Sequence, residues 1–555
     1  MSETGFLGRL GALLPRTGRH RTGLAWALGV LAAAAWTSPA VGISRDESVY
    51  FYAAESYATW WGQFARSPAT AVTQADRFFG ANREHPPLAK TVFGATHALL
   101  AKGLGLTSHR TGFRAGAFLF AAALAWLLAL WGWDLAGRGG GLLAPALFFL
   151  VPRHFYHAHP AVLDLPVTAL WLATVYAWWR SLLARREGRS PLRAAVTAGL
   201  LFGAAAATKH TAWVLPPLLL AHWLATSWRE VARGPLPARL RSVPPALPAM
   251  LVLGPLVLLA LWPWLWHQPL PRLREYLAFH LQHENYPWHY LGELLREPPF
   301  PVLYPFVVTA LTVPAASLAA MAGGFAQATA RLVQALRRRA EGVDAPLEAL
   351  LLLNALFPLA LIAWPGVPVF GGVKHWLPAM PFLALLGARA VVTAARLLWP
   401  SAPAVAGAAL AAAALVPAAW QVAHVHPFGT AAYNELAGGA AGAASLGMQR
   451  QFWGDNMAAV LPELNEHAVR GARVWFQEAT WLAMQAYQRD GALRADLRWA
   501  NGAEDADISI WHYHQEFRDK EYLTWTAFGT ARPLAGAYLD EVPLVQVYAR
   551  PGAWR

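Results

Sequence analysis

Asp46 and Glu47 stand side by side in "SRDESVY", directly after the first long apolar run of the chain. A carboxylate at the water boundary of a membrane can accept the proton of an incoming hydroxyl. Downstream, "REHPPLAK" sets Glu84, His85 and Lys90 around the Pro86–Pro87 step, and "PRHFYHAHPAVLD" brings Arg153, His154, His157, His159 and Asp164 together. Two further turns carry the pairs Lys209–His210 and Lys374–His375. Lysine and arginine at such places can neutralise charge that builds on a departing phosphate. Acids and bases gathered at one set of span ends are what a site acting on a lipid-linked phosphate requires. A lipid carrier presents its phosphate at headgroup depth, level with these loops.

Blander roles compete for each residue. Asp46 and Glu47 also read as loop acids or as the cap of an interfacial helix. Pro86–Pro87 also reads as a helix start. Asp164, with Pro166 close behind, also reads as an N-cap, and a lone lysine at a span end as an anchor that reaches for headgroups. His154, His157 and His159 lack a full ligand set at defined spacing, so no metal site is assigned, although a divalent metal stays open. Trp and Tyr at span ends read as an aromatic belt.

The elements that must position these groups are membrane helices. The 555 residues are 56% hydrophobic and only 14% charged, and apolar runs recur at about the 20 residues needed to cross a bilayer. The runs fall near 23–43, 113–135, 140–153, 161–180, 193–208, 211–228, 246–266, 300–328, 348–369, 376–398 and 402–424. A net charge of +13 sits largely in short loops between runs, where it reports orientation rather than nucleic-acid binding. The basic loops "RSLLARREGRSPLR", "WREVARGPLPARLR" and "ARLVQALRRRAEG" predict a cytoplasmic N-terminus and an external C-terminus, periplasmic in a bacterial inner membrane. The first run reads as an uncleaved helix rather than a signal peptide. Cysteine is absent, which excludes disulfides and thiolate metal sites.

Residues 44–112 are expected to form one external loop in which "PLAKTVFGATHALLAKGLGL" lies as an amphipathic interfacial helix, with Lys90 and His97 on one face. The fold class is therefore mainly α: a polytopic bundle of about eleven spans over residues 1–424. A small soluble α/β extracytoplasmic domain follows over 425–555, with "RVWFQ", "DISIWHY" and "PLVQVYAR" as strands. There His512 and His514 share a strand face and read as a solvated polar face, and Asp455 in "FWGDN" reads as a turn residue.

The stretches "RDESVYFYAAESYATWW", "REHPPLAKTVFGATHALLAKG", "HPAVLDLPVTALWLATVYAWW", "GAAAATKHTAWVLPPLLL" and "GGVKHWLPAMPFLALLGARA" together resemble glycosyltransferase family 39 of the GT-C superfamily, the protein O-mannosyltransferase and aminoarabinose transferase group. The match runs in order through roughly residues 20–400, and its acidic pair, HPPLAK element and Asp-x-Pro are specific jointly rather than singly. The resemblance implies an inverting enzyme that moves a sugar from a polyprenyl-phosphate donor to a lipid, glycan or protein acceptor outside the cytoplasm. It implies Asp46 as the acid that deprotonates or orients the acceptor, Glu47 as its partner and Asp164 as a second acid. Lys90, Arg153, Lys209, Lys374 and His375 are the corresponding donor-phosphate candidates, and Glu84, His85, Pro86 and Pro87 shape the substrate loop. The chain departs from the eukaryotic mannosyltransferases, since "HQPLPRLREYLAFHLQHENYPWHYLGELLREPPF" leaves no room for their extra lumenal domain. A transporter or flippase is the rival class; it expects repeated halves and ionisable groups near mid-membrane, and neither is evident.

Overall fold

A computed structural model describes residues 17–233, 235–282, 284–337, 344–514 and 517–555. Arg338 and Arg339 of the third basic loop lie outside the described residues. The chain is mainly helical with a small C-terminal sheet domain. Among the described residues, five helices are long and apolar enough to cross a membrane: Gly18–Ala40, His109–Phe149, Ala345–Ile362, Leu377–Leu398 and Pro403–Val425. Leu192–Ala206 and Ala246–Leu261 are apolar but shorter.

The difference from about eleven expected spans has local causes. The run near 300–328 divides into Tyr304–Thr312 and Ala315–Leu336, because Pro314 lacks the N–H that would carry one helix across the step. The run near 211–228 opens as a tight turn at His210–Val214 before the helix Leu215–Arg233 begins. The helix Asp164–Arg186 has ample length, but its charged and aromatic residues dilute its hydropathy. The opposite case is His109–Phe149, where the backbone leaves helical geometry at Ala136 and Gly137. Gly137 adopts φ 66°, and a Cβ on Gly132 would lie 2.4 Å from the Gly140 carbonyl oxygen, so the two arms fold back against each other at glycine. The two runs expected there are the two arms.

The expected external loop 44–112 is largely helical. Its longest helix, Arg45–Arg66, starts with a capping box in which the Ser44 hydroxyl accepts from the Glu47 N–H and the Glu47 carboxylate accepts from the Ser44 N–H. The amphipathic segment forms the helix Leu88–His97. Its polar face does not meet headgroups: Lys90 and His97 are buried against protein. Gly94 permits this, since a Cβ there would lie 2.1 Å from the Ala54 carbonyl oxygen of the helix Arg45–Arg66.

The loop after residue 266 holds a helix, Pro269–Leu281, and an antiparallel hairpin of β1 (Trp288–Tyr290) and β2 (Glu293–Leu295), neither of which the sequence reading anticipates. The C-terminal sheet contains β3 (Arg473–Phe476), β4 (Arg498–Trp499), β5 (Ile508–His512), β6 (Ala535–Leu539) and β7 (Val542–Ala549) in the order β4-β3-β5-β7-β6. β3 pairs in parallel with β4 and β5, while β7 pairs antiparallel with β5 and β6. The three strands expected from sequence are β3, β5 and β7. The solvated reading of His512 and His514 is corrected: both side chains are buried, and the His512 Nε2 lies 2.9 Å from the Gly454 carbonyl oxygen.

This domain is seated on the membrane part through the segment 453–480. The Arg45 N–H donates to the Trp453 carbonyl at 2.8 Å, and the Ser48 and Thr480 hydroxyls lie 2.7 Å apart. Gly42 makes the approach possible, since a Cβ there would fall 1.9 Å from the Asp455 carbonyl oxygen.

Candidate active site

A cavity of about 900 Å³ opens where these parts meet. Asp46, Glu84, His85, Asp164, Lys209, Lys374 and His375 line it, drawn from separate stretches of the chain. Its apolar side includes Phe357, Leu361 and Ile362 of the helix Ala345–Ile362. A polar pole joined to an apolar wall suits an amphiphile: a charged headgroup at one end and a hydrocarbon chain along the other.

Asp46 occupies the first turn of its helix and is partly exposed, with 38% of its side chain accessible. The Trp453 Nε1–H donates to Asp46 Oδ2 at 3.1 Å, and Lys374 Nζ lies 3.8 Å from the same oxygen. Asp164 is buried, and Lys209 Nζ donates to its Oδ1 at 2.6 Å. The N-cap position belongs to Leu163, so Asp164 spends its carboxylate on Lys209 rather than on capping.

Lys374 reaches the cavity from a tight turn, Gly372–His375. The turn needs its glycines: Gly371 has φ 80°, and a Cβ there would lie 2.2 Å from Lys374 Cε. Lys374 Nζ sits 4.7 Å from the centre of the Trp453 ring. Burial pushes the Lys374 ammonium below the usual lysine range, and the carboxylates of Asp46 and Asp164 oppose that shift. His375 lies beside it with Nε2 2.6 Å from the Phe370 carbonyl oxygen, and burial holds its imidazole down to about 3, so it is neutral.

Five expected site residues stand outside the cavity lining: Glu47, Lys90, Arg153, Pro86 and Pro87. Glu47 is fully buried, and both its oxygens engage Arg114, at 2.7 Å to Nε and 2.8 Å to Nη2; its Oε1 also accepts from the Ala161 N–H. Its bonds to Arg114, Ala161 and the Ser44 N–H hold the Glu47 carboxylate inside the protein, away from the cavity that Asp46 lines. Lys90 turns back to donate to the Asn82 side chain at 2.6 Å and to the His85 carbonyl at 2.9 Å, which braces the loop it follows. Arg153 is buried with Nε donating to the Ala432 carbonyl and its guanidinium 4.7 Å from the Tyr433 ring centre.

Pro87 caps the helix Leu88–His97, and the Leu88 N–H donates to the Ala207 carbonyl two residues before Lys209. The double proline thus starts a helix and docks the loop against the turn that carries Lys209. Of the three clustered histidines, His154 bonds the Phe148 carbonyl, and His159 bonds the Phe155 carbonyl and the Thr37 hydroxyl. His154 and His159 are committed to separate partners, neither ring nitrogen of His157 has a hydrogen-bond partner, and the three do not converge as a metal-ligating group among the described residues.

Trp453 is the site residue that the sequence reading missed. It adopts φ 74°, a left-handed conformation costly for a bulky side chain, and the next residue, Gly454, also has positive φ at 71°. That kink aims the indole between Lys374 and His157, whose ring lies edge-on 5.4 Å away. The available signal was the tryptophan–glycine step in "FWGDN", too short to place in space. Asp455 follows, buried beside Tyr156, and burial pushes its carboxyl up to about 7. It keeps its proton through the range where an exposed aspartate has lost it.

No protein-family model matches this chain, and no curated protein matches it. Among solved structures it is similar to ArnT from Cupriavidus metallidurans in the apo state, at 13% identity and TM-score 0.48, over 99% of this chain and 98% of that one. It is also similar to ArnT from the same organism bound to undecaprenyl phosphate, at 12% identity and TM-score 0.46, over 98% of each chain. A further similarity is to the archaeal oligosaccharyltransferase AglB from Archaeoglobus fulgidus in complex with an inhibitory peptide and a dolichol-phosphate. There the identity is 13% and the TM-score 0.42, over 85% of this chain and 64% of that one.

Proposed function

We propose that this chain is a membrane glycosyltransferase of the GT-C type that transfers a sugar from a polyprenyl-phosphate donor to an acceptor outside the cytoplasm, with inversion at the anomeric carbon. The observation that carries the reading is the pairing within one cavity of a partly exposed carboxylate, Asp46, with two ammonium groups, the partly buried Lys374 and the buried Lys209, beside an apolar wall. Asp46 Oδ2 is held by Trp453 and Lys374, which leaves Oδ1 to take the acceptor's proton. The acceptor oxygen attacks the anomeric carbon as the bond to the phosphate oxygen breaks, and the polyprenyl phosphate leaves with the bonding electrons. Lys374 and Lys209 stabilise the added charge on that phosphate, and Asp164 holds Lys209 in place.

The test uses the purified chain in nanodiscs with a labelled polyprenyl-phosphate sugar and an extract of cell-envelope acceptors. Label is expected to enter a glycan, lipid or protein product as free polyprenyl phosphate appears in equal amount. Movement of intact donor between leaflets with no new glycosidic bond would instead make the chain a flippase.

Trp453 serves in this scheme as a positioning residue. Trp453→Phe keeps a ring beside Lys374 but removes the Nε1–H bond to Asp46, an interaction with a charged group worth about 1.5–3 kcal/mol. A fall in kcat of roughly tenfold to a hundredfold is expected, with KM for the donor little changed. An unchanged kcat would remove Trp453 from the site.

A further inference from the structure

Three imidazoles meet at the rim of the same cavity, and no step above uses them. His85 comes from the bend before Pro86–Pro87, His210 from the turn His210–Val214, and His280 from the end of the helix Pro269–Leu281. One nitrogen from each lies within 4.8 Å of the others. We propose that His85, His210 and His280 form a binding site for one divalent transition cation, with Zn²⁺ the best-matched chemistry. The binding claim stands apart from the transferase reading, whereas any part the cation plays in transfer rests on it.

The donor set fits. Three neutral imidazoles suit Zn²⁺, and three protein ligands leave a coordination position open toward the cavity. The His280 Nε2 lies 3.0 Å from the Glu84 carbonyl oxygen. Donation there fixes the tautomer and leaves Nδ1 as the atom with a lone pair, the arrangement in which a backbone carbonyl orients a ligating histidine. His85 Nδ1 is buried and has no hydrogen-bond partner, an unmet polar atom at the place where a cation would satisfy it.

The geometry is near but not closed. The His210 and His280 rings lie with centres 3.8 Å apart and tilted by 31°, and those of His85 and His280 are 5.8 Å apart. A tetrahedral site with Zn–N bonds of about 2.0–2.1 Å brings donor nitrogens to roughly 3.4 Å from one another. Binding therefore draws the three rings inward by side-chain rotation, which also ties the helix Pro269–Leu281 to the loop at 82–87. Lys209 nearby opposes the added charge, and the Glu84 carboxylate on the same cavity offsets it.

The experiment strips the purified full chain with a chelator and titrates it with Co²⁺ as the spectroscopic probe and with Zn²⁺ by calorimetry. One equivalent of cation is expected, with an intense visible d–d band from a tetrahedral site, and with three nitrogen neighbours by X-ray absorption. His280→Gln and His210→Gln are each expected to weaken binding at least tenfold. Asp46→Asn should bind the cation as the parent does, so that failure of sugar transfer and failure of metal binding are read separately. Absence of a stoichiometric cation in the parent, or an all-oxygen shell around it, overturns the site. Equal affinity in both histidine variants overturns it too, and the parent titration decides even if a variant does not fold.

Discussion

Asp46→Asn is expected to leave the protein inserted and folded while transfer from a labelled polyprenyl-phosphate sugar falls by roughly a hundredfold to ten-thousandfold, the range assigned to a lost general base. The amide is nearly isosteric, and its oxygen still accepts from the Trp453 Nε1–H, so the local geometry persists. What disappears is the capacity to take a proton. The negative charge 3.8 Å from Lys374 disappears with it. The two losses separate by measurement. If Asp46 acts as the base, kcat falls and KM for the donor holds; if it serves only to tune Lys374, donor affinity changes with it. Parental turnover by the purified variant would end the assignment of Asp46.

The candidate site was legible in sequence where chemistry and position coincide. "GGVKH" shows a lysine on a glycine-permitted turn, and the structure carries Lys374 into the cavity on that turn. Asp164 and Lys209 each stood at a span end and meet at 2.6 Å. Burial was the part that spacing could not supply. Glu47 looks like the equal of Asp46 in a string of letters, yet its partner Arg114 lies 67 residues away with no periodicity to announce it. Lys90 and His97 were rightly placed on one helix face, but a sequence cannot say whether a polar face meets headgroups or a protein wall. Trp453 and His280 lie outside the stretches that carry the resemblance, and only tertiary packing brings them to the site.

The helices followed the same division. Glycine at 137 and proline at 314 punctuate the chain visibly, and the backbone breaks at both. Apolar runs show where chain can be buried. They do not show whether the buried helix is long enough to cross a membrane unbroken: Leu192–Ala206 is apolar but short.

The second large effect belongs to the ion pair beneath the site. Glu47→Gln is expected to destabilise the folded protein by about 3–5 kcal/mol, because it leaves the Arg114 guanidinium buried without a counter-charge. Arg114 also donates to the carbonyls of Ser38, Val41 and Gly42, the turn that leads into the helix carrying Asp46. A disturbed Arg114 therefore disturbs the entry to the site, and transfer should fall along with thermal stability in detergent. Those two losses alone do not separate a structural Glu47 from a catalytic one. The double substitution Glu47→Gln with Arg114→Met does, because removing both charges relieves the unpaired guanidinium. If Glu47 is structural, the pair recovers much of the stability lost by Glu47→Gln and regains transfer with it. If Glu47 handles a proton in the reaction, the double variant melts near the parent and stays inactive, and the acid beside Asp46 returns to the chemistry.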